Sequence, residues 1–203
     1  MENNKKIILV LVIFAVVMVG AYLLYTQLSP QFAQDQLAAV GTQPQETTGT
    51  VSTQTATETT DAQTVDLAPD FTVYDEEGNG VQLSDYFGKP IVLNFWASWC
   101  GPCKNEMPDF NAKYLELGNK VQFLMVNMTD GDRETVEIAS NFIAQKGYTF
   151  PVFFDTRYDA ALTYNVYSLP TTFFIDQNGQ VVAYASGAID GETLQRGIDM
   201  ITG

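Results

Sequence analysis

Asn94-Phe95-Trp96-Ala97-Ser98-Trp99-Cys100-Gly101-Pro102-Cys103-Lys104 is the stretch on which the fold turns. Two kinds of pattern meet in it. Upstream, Ile91-Val92-Leu93-Asn94-Phe95-Trp96 is a nearly continuous apolar run, as expected for a central strand buried on both faces. Downstream, Met107, Phe110, Tyr114 and Leu117 recur at helical spacing, with Pro108 expected to kink that helix. A Cys-x-x-Cys pair therefore sits directly after a buried strand and at the start of a helix.

Working outward, Phe71-Thr72-Val73-Tyr74 and Val81-Gln82-Leu83 flank Glu76-Glu77-Gly78-Asn79-Gly80 and read as a hairpin. Residues 84–88 read as a short helical turn. Val121 to Val126 predicts the next buried strand. Val136, Ala139, Phe142 and Ile143 mark one face of a second helix, ended by Gly147. Residues 150–154 are strand-like, and a short helix over 160–164 follows. Residues 171–175 and 180–185 read as strands joined by Asp176-Gln177-Asn178-Gly179, a strong hairpin signal. Leu194, Ile198 and Ile201 give a last helix its inner face. The predicted order is β-β-(short α)-β-α-β-α-β-α-β-β-α. Strands alternating with helices imply an α/β fold, a central mixed sheet with helices on both faces.

The placement of the two cysteines has a chemical logic. A helix N-terminus presents unpaired N–H groups and a partial positive charge. These stabilise a thiolate and lower its pKa from the free value of about 8.5. The thiolate is the nucleophile in disulfide exchange. Cys100, the first and more exposed of the pair, is expected to attack, and Cys103, one turn on, to resolve the mixed disulfide. Pro102 is tolerated in the first helical turn, where the N–H it lacks would be unpaired anyway.

Composition narrows the alternatives. The 203 residues are 46% hydrophobic and 12% aromatic, with a net charge of −14. No basic stripe exists to release counterions from phosphate, so no nucleic-acid partner is expected. There is no histidine, which removes Ser-His-Asp and Cys-His catalysis. Two cysteines without histidine cannot supply the four ligands of a structural zinc site, and no metal is expected. A purely structural disulfide closing so short a loop would remove little unfolded-state entropy. A peroxidase of the Pro-x-x-x-Thr-x-x-Cys pattern would need threonine or serine at position 97 and proline at 93; Ala97 and Leu93 stand there.

The N-terminus reads as two further segments. Lys5 and Lys6 precede an uncharged run from Ile7 to Tyr25, close to the ~20 residues that a helix needs to cross a bilayer. Tyr22 and Tyr25 fall at its far end, where aromatic rings favour the interface. A cleaved signal peptide would have a shorter apolar core and a small-x-small site, and Tyr25-Thr26-Gln27-Leu28 is not one. Residues 1–25 are thus expected to be an uncleaved membrane anchor. No Lys or Arg recurs before Lys89, so the N-terminus is expected in the cytoplasm and the rest outside. Residues 26–66, rich in Thr and Gln, cannot bury enough surface to offset their ordering entropy and read as a flexible tether. Residues 67–203 form the expected catalytic domain.

Asn94 to Lys104 closely resembles the thioredoxin active site. Together with Cys103-Lys104-Asn105-Glu106-Met107-Pro108 and Ser168-Leu169-Pro170-Thr171-Thr172-Phe173-Phe174-Ile175-Asp176, it resembles the membrane-anchored TlpA/ResA-type thiol-disulfide oxidoreductases of the thioredoxin superfamily. The similarity runs from about Asp66 to the C-terminus and leaves out anchor and tether. It implies a thioredoxin-like fold for residues 67–203, with the N-terminal β-hairpin, following the transmembrane helix expected from residues 1–25. It also implies a redox-active Cys100–Cys103 disulfide in place of any cofactor. Pro170 matches the family's cis-proline; the backbone of Leu169 and Pro170 would then pair with an extended substrate segment by strand addition. From the sequence alone Pro170 is only a proline opening a strand. Trp99, Gly101 and Pro102 join these two in the implied substrate-contact surface, although Trp96 and Trp99 equally suit plain packing. Glu106 matches a glutamate placed near the redox pair, able to accept the resolving thiol's proton and to raise thiol pKa values. Its bland reading is a glutamate that complements the helix dipole. Asn94 stands where cytoplasmic thioredoxins carry a buried aspartate, and an amide cannot take that proton.

The expected function is reduction of disulfides in exported proteins, apocytochrome c among them, by a monomer at the outer face of a bacterial cell membrane. Electrons would arrive from a membrane thiol donor. An oxidase or isomerase role stays open, as does a peptide-binding assembly factor in which redox is secondary.

Overall fold

The computed structural model describes residues 14, 17–20, 37–39 and 67–203. Phe14 and residues 17–20 are helical. The rest of the expected anchor, and most of the expected tether, lie outside the described residues. Among the described residues no helix is long and apolar enough to cross a membrane. The chain divides into two units, Met1–Gln36 and Leu37–Gly203, and the second contains everything discussed below.

One eight-stranded mixed sheet organises that unit, in the order β1-β8-β7-β4-β5-β6-β2-β3. Its strands are β1 (Ala38–Ala39), β2 (Thr72–Tyr74), β3 (Gly80–Gln82), β4 (Ile91–Trp96), β5 (Gln122–Asn127), β6 (Val152–Phe154), β7 (Thr171–Ile175) and β8 (Val181–Ser186). A 3-10 turn, Leu83–Tyr86, follows β3. The helices are α1 (Gly101–Leu117), α2 (Val136–Lys146), α3 (Asp159–Thr163) and α4 (Gly191–Thr202). β4 pairs in parallel with β5 and antiparallel with β7, so it is central and fully buried. β2 and β3 pair antiparallel around the turn that Asp75 and Asn79 close.

β4 shows how the two faces are used. Ile91, Leu93 and Phe95 enter one core with Phe71, Leu83, Ala160 and Tyr164. Val92 and Trp96 enter the other with Cys103, Met107 and Phe110 of α1 and Leu194, Ile198 and Ile201 of α4. Alternation along a strand then puts Asn94 on the α1 face, and it is buried there. The expected inner face of α2 is shallower: only Ala139 is buried, while Val136, Phe142 and Ile143 are half-buried against the core. Gly147 ends α2 with a left-handed φ of 68°, a conformation glycine adopts without strain.

The tether expectation is corrected at one point. Ala38 and Ala39 pair antiparallel with Tyr184 and Ala183 of β8, and Leu37 packs on the core. Backbone pairing and a partly buried leucine order this piece of a segment whose composition alone predicts none.

α4 lies so close to β7 that a Cβ on Gly197 would fall inside the Phe174 ring. Glycine inside a helix costs about 1 kcal/mol relative to alanine, and here contact distance requires it. Gly197→Ala should destabilise the domain by about 2 kcal/mol in chemical denaturation, since overpacking of this size outweighs the propensity gain. An unchanged or raised midpoint would show that α4 can move off the sheet.

Candidate active site

β4 ends at Trp96, and the chain turns through Ala97–Trp99 into α1. Cys100 is the N-cap of α1, with extended φ and ψ of −75° and 111°. Its N–H bonds to the Ala97 carbonyl at 3.1 Å, and its carbonyl accepts from Lys104 at 3.2 Å. The Cys100 Sγ itself accepts the Cys103 N–H at 3.1 Å. A sulfur thus occupies the place where a capping oxygen usually satisfies an otherwise unpaired donor. Cys100 and Cys103 are joined in a disulfide. The expected difference in exposure is present but small, 4% against 0%. Pro102 stands in the first helical turn, and Gly101 and Pro102 are both exposed beside the disulfide.

The Leu169–Pro170 peptide is cis. Thr171 is the register partner of Phe95. Because β7 runs antiparallel to β4, Leu169 and Pro170 lie at the sheet end where Trp96 leads to Cys100. Pro170 is buried and Leu169 half-buried. Of the two residues expected to offer backbone for strand addition, Pro170 has no N–H and its carbonyl accepts the Gly187 N–H at 2.8 Å. Among the described residues no main-chain hydrogen bond engages Leu169, so Leu169 keeps both its N–H and its carbonyl for pairing.

Glu106 is one turn beyond Cys103 on the same face of α1 and is only 2% exposed. Its Oε1 accepts from Asn94 Nδ2 at 2.9 Å and its Oε2 from the Ile189 N–H at 3.0 Å. Asn94 Nδ2 also donates to Thr172 Oγ1 at 3.0 Å. Burial raises the Glu106 pKa from 4.5 to about 7, against the opposing pull of the two hydrogen bonds. A carboxyl that merely complements a helix dipole would sit at the solvent edge; this one is inside the core, one turn beyond Cys103. Asn94 Oδ1 is buried without a hydrogen-bond partner among the described residues.

The two tryptophans part company. Trp96 is fully buried and packs against Phe142, with centroids 5.9 Å apart. Trp99 is 40% exposed, and the Arg133 guanidinium lies 4.0 Å from its ring centroid. One residue that touches the site, Glu134, lies outside the motif. Ser98 gives both its N–H and its hydroxyl to the buried carboxylate of Glu134.

Residues 64–184 match the model of the AhpC/TSA family. The chain is 38% identical over 153 residues to the thiol-disulfide oxidoreductase ResA of Geobacillus kaustophilus (strain HTA426), covering 75% of this chain and 86% of that protein. Among solved structures, it is similar to a thiol:disulfide interchange protein DsbE from Chlorobium tepidum. That likeness has a TM-score of 0.61 and 34% identity, and covers 68% of this chain and 96% of the other. StoA from Bacillus subtilis is similar with a TM-score of 0.56 and 26% identity, covering 65% and 98%. With the strand, the turn, the capped helix and the cysteine pair all in place, the chain belongs to the AhpC/TSA family, as a ResA-type thiol-disulfide oxidoreductase with a thioredoxin-like fold, its redox element the Cys100–Cys103 disulfide.

Proposed function

We propose that the protein is a membrane-tethered reductase of disulfides in exported proteins, with oxidised apocytochrome c as the substrate class that the family resemblance implies. The observation that carries the mechanism is the stacking of functions along α1: an attacking sulfur at the cap, a resolving sulfur one turn in, and a buried carboxyl of raised pKa one turn further. In the reduced enzyme the Cys100 thiolate attacks one sulfur of the substrate disulfide, and the other sulfur leaves as a thiolate. Glu106 takes the proton of the Cys103 thiol. The Cys103 thiolate then attacks Cys100 Sγ, the second substrate thiolate leaves, and each substrate thiolate is protonated. Two electrons pass to the substrate as the Cys100–Cys103 disulfide forms. A dithiol donor in the membrane would reverse that last bond and itself become a disulfide. Leu169 offers the backbone edge on which an extended substrate can lie, beside Trp99, Gly101 and Pro102. The tethering rests on Lys5, Lys6 and the uncharged run 7–25.

Trapping tests this reading. In Cys103→Ser cells, Cys100 should hold its partner as a mixed disulfide that dithiothreitol releases. The expected partners are exported proteins with a cysteine pair, recovered in the membrane fraction after carbonate extraction. Absence of any adduct, or adducts with cytoplasmic proteins alone, would overturn it.

A further inference from the structure

The segment that delivers the attacking sulfur is gripped from outside its own helix. The loop 128–135, between β5 and α2, touches it at three successive points. The Met128 N–H bonds to the Trp96 carbonyl at 2.9 Å. Glu134 holds Ser98, two residues before Cys100: Oε1 accepts the Ser98 N–H at 2.7 Å and Oε2 its hydroxyl at 2.6 Å. Arg133 covers the Trp99 ring.

The grip is itself braced. Glu134 is 0% exposed, and its Oε1 also accepts from Asn127 Nδ2 at 2.7 Å. Asp130 Oδ1 accepts the N–H groups of Asp132 and Glu134, each at 2.8 Å. The Gly131 N–H closes on the Glu134 carbonyl at 3.0 Å, with Gly131 at a φ of +77°.

Burying a carboxylate is expensive unless its oxygens are well bonded, and a buried polar group is often no better for stability than an apolar one of the same size. What two bonds to one residue do give is geometry. They fix both the position of the Ser98 peptide and the rotation of its side chain, and so the dihedrals that lead to Cys100. We propose that Glu134 is a positioning residue for Cys100. Through Ser98 it keeps the sulfur over the Cys103 N–H and in line for attack. Glu134 touches no reacting atom; its effect passes through the main chain.

The test uses the reduced full chain and two readouts. One is the pH dependence of Cys100 alkylation by iodoacetamide, followed by mass spectrometry. The other is kcat/KM for a disulfide-bonded peptide. In Glu134→Ala the sulfur loses its fixed place at the helix end, so its alkylation midpoint should lie at higher pH than in Glu134→Gln, which loses the same negative charge but keeps the hold on Ser98. A misplacement near 1 Å should lower kcat/KM by about tenfold to a hundredfold. Glu134→Gln should stay within about threefold of the parent, because an amide oxygen can still accept the Ser98 and Asn127 N–H groups and the Ser98 hydroxyl can turn to accept from the new N–H. Ser98→Ala removes the hydroxyl bond alone and should show a smaller shift, to higher pH than the parent; it carries the test if Glu134→Ala does not fold. A folded Glu134→Ala with the midpoint of Glu134→Gln and the parental kcat/KM would overturn the proposal. So would a Glu134→Gln as impaired as the alanine variant, or, with Glu134→Ala unfolded, a Ser98→Ala indistinguishable from the parent.

Discussion

Cys100→Ser is expected to lower the rate of disulfide reduction by the chain on the order of 10⁴-fold or more, because removing the nucleophile of a covalent mechanism removes its first step. The geometry makes the loss one-sided. At the cap of α1 the atom at this position accepts the Cys103 N–H, and serine is among the best capping residues. The helix should therefore survive the change, while the nucleophile does not. A serine hydroxyl has no low-pKa anion to offer near neutral pH, and the helix N-terminus shifts an acidity by a few units at most. Rates should be measured by mixing the dithiol-reduced chain with a disulfide-bonded peptide and following free peptide thiol, and thermal melting should confirm that the fold is kept. The same variant separates redox work from peptide binding. If cells carrying Cys100→Ser keep the function of the parent, the chain acts by docking extended segments along Leu169, and disulfide exchange is incidental.

The parts of this site that sequence could reveal are those encoded by local pattern. The apolar run Ile91 to Trp96 and the helical spacing from Met107 to Leu117 fix a strand, a turn and a helix. The cysteines then fall at the helix cap without any tertiary information. The Asn178-Gly179 turn and the face Leu194, Ile198 and Ile201 are local in the same sense, and element ends differ from the expectation by only a residue or two, as frayed ends do. What could not be read depends on register and approach. Whether the Pro170 carbonyl is free depends on how β8 and its following glycine lie beside β7, a pairing that shifts register between Phe174 and Ile175. Asp130-Gly131-Asp132-Arg133-Glu134 reads as a solvated, charged loop. Nothing in its spacing says that one carboxylate turns inward to Ser98, 36 residues earlier in the chain. Leu37-Ala38-Ala39 likewise becomes ordered through the edge that β8 presents and the packing of Leu37 on the core.

Glu106→Gln should produce the second large effect, and its sign depends on pH. In the folded protein the carboxyl has its pKa raised from 4.5 to about 7 by burial. An acid whose folded pKa is raised contributes stability that is fully present below the unfolded value and is lost as pH rises through the folded one. The window is therefore from about 4.5 to about 7. Crossing one pH unit of it costs about 1.36 kcal/mol, so the loss across the whole window comes to about 3 kcal/mol. Glutamine does not titrate, so the stability difference between variant and parent should swing by about that amount in favour of the variant between about pH 4.5 and about pH 8, measured by chemical denaturation of the oxidised forms. Local bonding can follow the change: the variant's amide oxygen can keep the Ile189 N–H, and its N–H can reach the unpartnered Asn94 oxygen if that amide turns. Catalysis should move the other way. Without a group that can take the Cys103 proton inside the core, reduction of a peptide disulfide should slow by about 10²-fold, the lower end for loss of a positioned acid or base. The limb of the rate profile near pH 7 should vanish with it. The cysteine pKa values of the reduced form should fall, because the buried negative charge that opposes the thiolates is gone. A variant with the parent's thiol titration and the parent's pH profile would leave Glu106 a packing residue, and the proton of Cys103 would have to leave by solvent.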